Sequence, residues 1–209
     1  MNAGAVVEYF LRRIGDTEGD RVGPAEILSL VDLGAQRFVT ETEILRVETQ
    51  LTADTSQTPE FGYYNLPSNC HLIKGVEYGG DPLHQATIAQ MRQRYTDWRA
   101  TSGTPLYFVA WPDRILLAPY PTEDAEPYLE YVRMPAATGD WGAIDLPAAF
   151  EEAALHRALS DWFAQEDDYH DAAKSGYHEA QYAALRDRGL AWSASRGASV
   201  ARRVGRRGF

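Results

Sequence analysis

Ile44-Leu45-Arg46-Val47-Glu48-Thr49-Gln50-Leu51 is the stretch on which the reading of the chain turns. Ile44, Arg46, Glu48 and Gln50 alternate with Leu45, Val47, Thr49 and Leu51, the two-residue period of a strand. Upstream the period is helical. Val6, Phe10 and Ile14 fall at i, i+4, i+8, with Val7 and Leu11 beside them, which predicts a short amphipathic helix over 5–14. Gly15 to Asp20 is a polar turn. Pro24 opens a second helix, where a first-turn proline costs no hydrogen bond and Glu26 suits the positive helix end. Its apolar face is Ile27, Leu30, Val31, Gly34 and Phe38, and it runs to Val39 or beyond.

Downstream the strand period persists. Ala53 to Pro59 reads as a loop. Phe61 to Leu66 is extended, since the residue before Pro67 disfavours helix. His71–Tyr78 is a predicted strand ending at the Gly79-Gly80-Asp81-Pro82 turn. One helix is expected over Gln85–Trp98, followed by strands at Leu106–Ala110, Arg114–Ala118 and Tyr128–Arg133. Helical spacing then returns. Pro147 opens a helix with Phe150, Ala154, Leu155, Leu159, Trp162 and Phe163 on its apolar side. Another follows from about Tyr169 to Leu190, weakened locally at Gly176. Ser193 to Phe209 has few apolar groups and is expected to be unordered in the isolated chain.

The predicted fold class is therefore α+β. A four-helix cluster is built from residues 1–43 and 147–190, with 44–146 inserted as a small β-rich module carrying one helix. Residues 191–209 form a basic, flexible C-terminal tail.

The 209 residues are 44 % hydrophobic and 24 % charged, an ordinary globular composition that excludes bulk disorder. No apolar run reaches a membrane-spanning length, and Met1-Asn2-Ala3-Gly4-Ala5-Val6-Val7-Glu8 lacks the basic and apolar regions of a signal peptide. The only cysteine, Cys70, rules out an internal disulfide and fits a reducing compartment, or a virion assembled in one. The net charge of −10 is unevenly spread. From Gly189 onward there are five arginines (Arg196, Arg202, Arg203, Arg206 and Arg207) and no acid, so the rest of the chain carries −15. A basic block on an acidic body marks an interaction segment.

Catalytic patterns are weak. Glu166, Asp167, Asp168, His170 and Asp171, with His178 and Glu179 beyond, offer metal-ligand and acid–base residue types. However, His170 and His178 lie two helical turns apart, and no His-Glu-x-x-His occurs. A solvated face, with Asp171 pairing Lys174, explains the run. Cys70 and His71 are strand neighbours that point to opposite faces, which opposes a thiolate dyad. Glu151-Glu152 suit a helix first turn. Nucleophile-elbow and phosphate-loop patterns are absent. No catalytic residue, metal site or cofactor is expected.

The ordered middle and end of the chain do carry a resemblance. The quoted elements are Glu8-Tyr9-Phe10-Leu11-Arg12-Arg13-Ile14; Ala25 to Gly34; Tyr64-Asn65-Leu66-Pro67-Ser68-Asn69; and Asp81-Pro82-Leu83. They continue with Gly103-Thr104-Pro105-Leu106-Tyr107-Phe108, Arg114 to Pro121, Leu129 to Pro135, and Asp145-Leu146-Pro147 opening a helix. Over residues 5 to 190 this resembles the head-to-tail adaptors of short-tailed bacteriophages, the tail-tubular-protein-A or portal-ring adaptor type. The resemblance implies a structural virion protein of the neck, assembled in the host cytoplasm, with no catalytic residues. It implies a ring, usually twelve-fold, under the portal, with DNA passing through without sequence-specific binding. The C-terminal segment would order on the portal, and the β module would face the next tail component.

The tail residues read as the portal-docking set are Arg196, Arg202, Arg203, Arg206, Arg207 and Phe209. Arginines pair with acidic groups, and a terminal phenylalanine can fill an apolar pocket. Tyr63, Tyr64 and Trp111 are candidate ring or tail contacts, alongside Tyr107 and Phe108, with the core of the module as their plainer place. The alternative function is a DNA-binding packaging or regulatory factor acting through the arginine tail. A third is a metal-dependent hydrolase using Asp167, Asp168, His170 and Asp171.

Overall fold

Helix α1 (Ala3–Ile14) starts where the Asn2 side chain accepts the Ala5 N–H at 2.9 Å, and stops at Gly15 in the left-handed region, φ 74°. Helix α2 (Pro24–Thr42) begins with its proline in the first turn and ends at Glu43, whose N–H returns to the Val39 carbonyl. The computed structural model describes residues 1–16, 18–54, 56, 62–95, 97, 100–122, 126–139, 142–165 and 170–204, with 197–204 by backbone alone. It divides the chain into two units, Met1–Leu45 with Met134–Phe209, and Arg46–Arg133. The fold is mixed α+β.

In the first unit, α1 and α2 pack with two later helices. A 3₁₀ turn over Ala148–Phe150 leads into α4 (Glu151–Phe163), and α5 follows over Ala172–Val204. α5 therefore continues past Leu190 to Val204, into the segment expected to be a flexible tail; residues 205–209 lie outside the described residues. The core is mostly aliphatic, with several aromatics packed together. Phe10 meets Trp162 edge-on at 6.0 Å, and Phe38 lies 5.6 Å from Phe150 and 6.2 Å from Tyr182. Gly34 on α2 lies against the α4 backbone: a Cβ there would stand 2.5 Å from the Ala154 carbonyl oxygen. The segment from Met134 to Leu146 clusters with these helices. Asp32 accepts the Thr138 N–H through both oxygens (2.9 and 3.0 Å), Ala143 forms a β-bridge to Asn2, and Ile144 and Leu146 are buried.

The second unit is a sandwich of two four-stranded sheets. The strands are β1 (Arg46–Gln50), β2 (Tyr63–Asn65), β3 (Cys70–Tyr78), β4 (Asp81–Pro82), β5 (His84–Gln85), β6 (Tyr107–Ala110), β7 (Arg114–Ala118) and β8 (Tyr128–Arg133). One sheet has the order β1-β8-β3-β4 and the other β2-β7-β6-β5. All pairings are antiparallel except β5 with β6. Leu51, Tyr64, Val76, Phe108, Ile115, Leu117, Leu129 and Tyr131 fill the space between the sheets. The far side of β6 and β7 is covered by α3 (Ile88–Arg94), through Met91 against Val109, Leu116 and Ala118.

α3 is shorter than the helix expected over Gln85–Trp98. His84 and Gln85 are taken up by pairing with β6, and Thr87 closes a capping box with Gln90. At its other end Tyr95 is already extended, and Trp98 lies outside the described residues.

Candidate interaction surfaces

Asp171 stands immediately before α5, and its carboxylate accepts the Lys174 N–H at 3.0 Å. That bond, with Lys174 Nζ 3.3 Å away, holds the carboxyl below the usual carboxylate range. The residue is therefore spent on starting a helix. Glu166, Asp167 and Asp168 lie outside the described residues, and among the described residues no group of three His, Cys, Asp or Glu could hold a metal ion.

α5 turns a spaced set of residues inward: His178, Tyr182, Gly189 and Ser193. The Tyr182 hydroxyl donates to Glu41 at 3.0 Å, and burial together with that carboxylate pushes the phenol well up. Arg157 on α4 pairs with Asp161 and reaches Glu179 on α5 at 2.6 Å. Gly189 admits α2, because a Cβ would lie 2.9 Å from the Phe38 ring and 3.0 Å from the Thr42 methyl. Ser193 donates to the Glu43 carbonyl at 3.3 Å.

The first tail arginine is fixed by this packing. Trp192 meets Phe150 edge-on at 6.0 Å, and the Arg196 guanidinium sits 3.9 Å over the Trp192 ring, one helical turn on. Arg202 and Arg203 follow on the α5 backbone, while Arg206, Arg207 and Phe209 lie outside the described residues. Trp192 was not singled out from the sequence, although its spacing to Arg196 is the signal that finds it.

The sandwich separates the three aromatics proposed as contacts. Tyr63 and Trp111 stack at 5.8 Å on the α3 side of β2 and β6, both half-buried. Tyr64 points the other way and is 0 % exposed between the sheets. It is a core residue and not a contact, because neighbours on a strand face opposite sides. Phe108 is likewise buried there, while Tyr107 stays half-buried beneath the Arg94 guanidinium, 4.8 Å away. Gln85, Gln90, Gln93, Arg94 and Tyr107 edge a groove of about 370 Å³ beside them. Cys70 is partly buried on β3, and burial pushes its thiol up, the reverse of what a nucleophile needs.

A sequence model of the SU10 adaptor protein family matches residues 1–207. The chain belongs to the SU10 adaptor protein family. No curated protein matches it. The family is one of phage adaptors, so the role is structural and the protein is a virion component. The family match takes in both units and all of α5, including the arginines up to Arg207.

Proposed function

We propose that copies of this chain form a ring, a dodecamer, in the phage neck, joining the portal to the next tail component around the DNA path. The family match over residues 1–207 carries this reading. In it the arginine-bearing end of α5 docks on the portal, and the sandwich unit, with Tyr63 and Trp111 on one surface, faces the neighbouring copy or the tail. Two features support the assignment. The chain before Gly189 carries −15, which disfavours sticking of DNA to a ring wall. Arg196, Arg202 and Arg203 stand on α5, where Trp192 packs on Phe150 beneath Arg196, and many copies of a weak contact add up through multivalency.

The experiment is co-sedimentation with the portal ring of the same particle, comparing the full chain with one ending at Ser195. An end at Leu190 would also remove Trp192 and Ser193, which pack on Phe150 and Glu43. The full chain is expected to sediment with the portal and the shortened chain to stay behind. Equal binding by both would remove the docking role from the arginines. Binding by neither would overturn the portal assignment, and DNA affinity falling steeply across a salt series would then favour the packaging-factor alternative.

A further inference from the structure

His156 on α4 and His178 on α5 are buried, 9 % and 4 % exposed, and their Nδ1 atoms are 2.9 Å apart. At that distance one ring must donate and the other accept. The pair therefore needs one imidazole protonated at Nδ1 and its partner protonated only at Nε2, both neutral. Phe163 of α4 stacks flat on His178 at 6.0 Å, and Tyr177 of α5 meets the same ring edge-on at 5.1 Å. The charge felt from α1 is Arg13, which opposes protonation of both rings. Lys174 of α5 lies over the far ring, Phe163, at 5.0 Å. On α5 the next residue, Glu179, is engaged by Arg157 of α4 and lies 3.4 Å from Ser160.

We infer that His156 and His178 form an acid-released latch between α4 and α5. The latch is closed while the rings share one hydrogen bond as neutral groups and is opened when both take up protons. A first added proton still allows an N–H···N bond but leaves a buried charge beside Arg13. A second sets two donors face to face at 2.9 Å, which the closed packing cannot hold. Histidine is the side chain whose ordinary titration range places such a change at mildly acidic pH. Burial, then the neighbouring His156 and Arg13, push His178 down to about 4 from 6.5. The unfolded chain therefore takes up the proton first as the pH falls. The stability of the helical unit is level above about 6.5 and declines from there toward 4. This is a property of the helical unit and does not depend on the ring or the portal.

The test uses the full chain and the double variant His156→Asn/His178→Asn. Asparagine keeps a hydrogen-bonding group near the Nδ1 position and does not titrate. Urea unfolding followed by helical circular dichroism is run from pH 7.5 down to about 4. The exposed His71, His84 and His170 are present in both chains, so their effect cancels. The wild-type folded-to-unfolded ratio is expected to fall by roughly 150-fold more than that of the variant over this range, from the His178 shift alone. Parallel pH profiles overturn the latch. If the variant does not fold, nitrogen-15 NMR of the wild-type histidines decides. One Nδ1–H and one Nε2–H tautomer at neutral pH, lost together with the α4–α5 structure on acidification, supports it. Two rings of the same tautomer, or protonation with α4–α5 intact, refutes it.

Discussion

Replacing Gly34 by alanine sets two effects of known sign against each other. Inside a helix, alanine is favoured over glycine by about 1 kcal/mol, so propensity alone predicts a gain. At Gly34 the added Cβ would stand 2.5 Å from the Ala154 oxygen and 3.2 Å from its Cα and carbonyl carbon. These are backbone atoms of α4, so no rotamer change relieves the contact, and the two helices must move apart. Overpacking of this kind costs about 1–3 kcal/mol, and the shortness of the contact places Gly34→Ala at the upper end. The net expectation is a loss of about 1–2 kcal/mol, or roughly 2–8 °C in Tm for a chain of this size. Gly176→Ala is the matched control. It is exposed on α5 with no atom within 4 Å of its Cβ, so it should gain up to about 1 kcal/mol. Urea and thermal unfolding followed by helical circular dichroism measure both. A Gly34→Ala chain at least as stable as wild type would refute the close α2–α4 approach.

Tyr182→Phe removes the donor to Glu41 at 3.0 Å and should cost about 1–2 kcal/mol in urea unfolding; adding Glu41→Gln should recover part of it if that bond is the cause. Asp32→Ala deletes the acceptor of the Thr138 N–H and should cost about 1–2 kcal/mol, with faster hydrogen exchange at the Thr138 amide as the local readout. Arg157→Met removes the cation between Asp161 and Glu179. Both carboxylates are half in water, so the loss should be about 1 kcal/mol, smaller at high salt.

Local order was written in local spacing. Val6, Phe10 and Ile14 announced α1, Pro24 the start of α2, and the alternation after Leu45 the first strand. Each signal concerns residues a few positions apart. The sheet order was not legible, because β1 finds β8 from the other end of its unit and that choice depends on side chains meeting across the whole module. The same limit explains Tyr64. Strand alternation shows that it faces away from Tyr63, but only the second sheet shows which of the two is covered. His156 went unnoticed because a lone histidine on an apolar helix face carries no signal until its partner on α5 is placed beside it. Asp171 pairs with Lys174 as its spacing suggested, at 3.3 Å, and it also accepts the Lys174 N–H at the start of α5, a role set by the chain geometry there.

The sequence by itself determined the α+β class, the helix and strand periods, the acidic body with its arginine block, and the absence of familiar catalytic patterns. These follow from composition and from contacts along the chain, which free-energy terms of neighbouring residues fix. Only the tertiary structure decided which glycines are contact points, which aromatics are core, that α5 runs on to Val204, and that two histidines share one hydrogen bond. Those depend on groups far apart in sequence and brought within a few ångströms by packing, where close approach and burial, not local preference, set the energy.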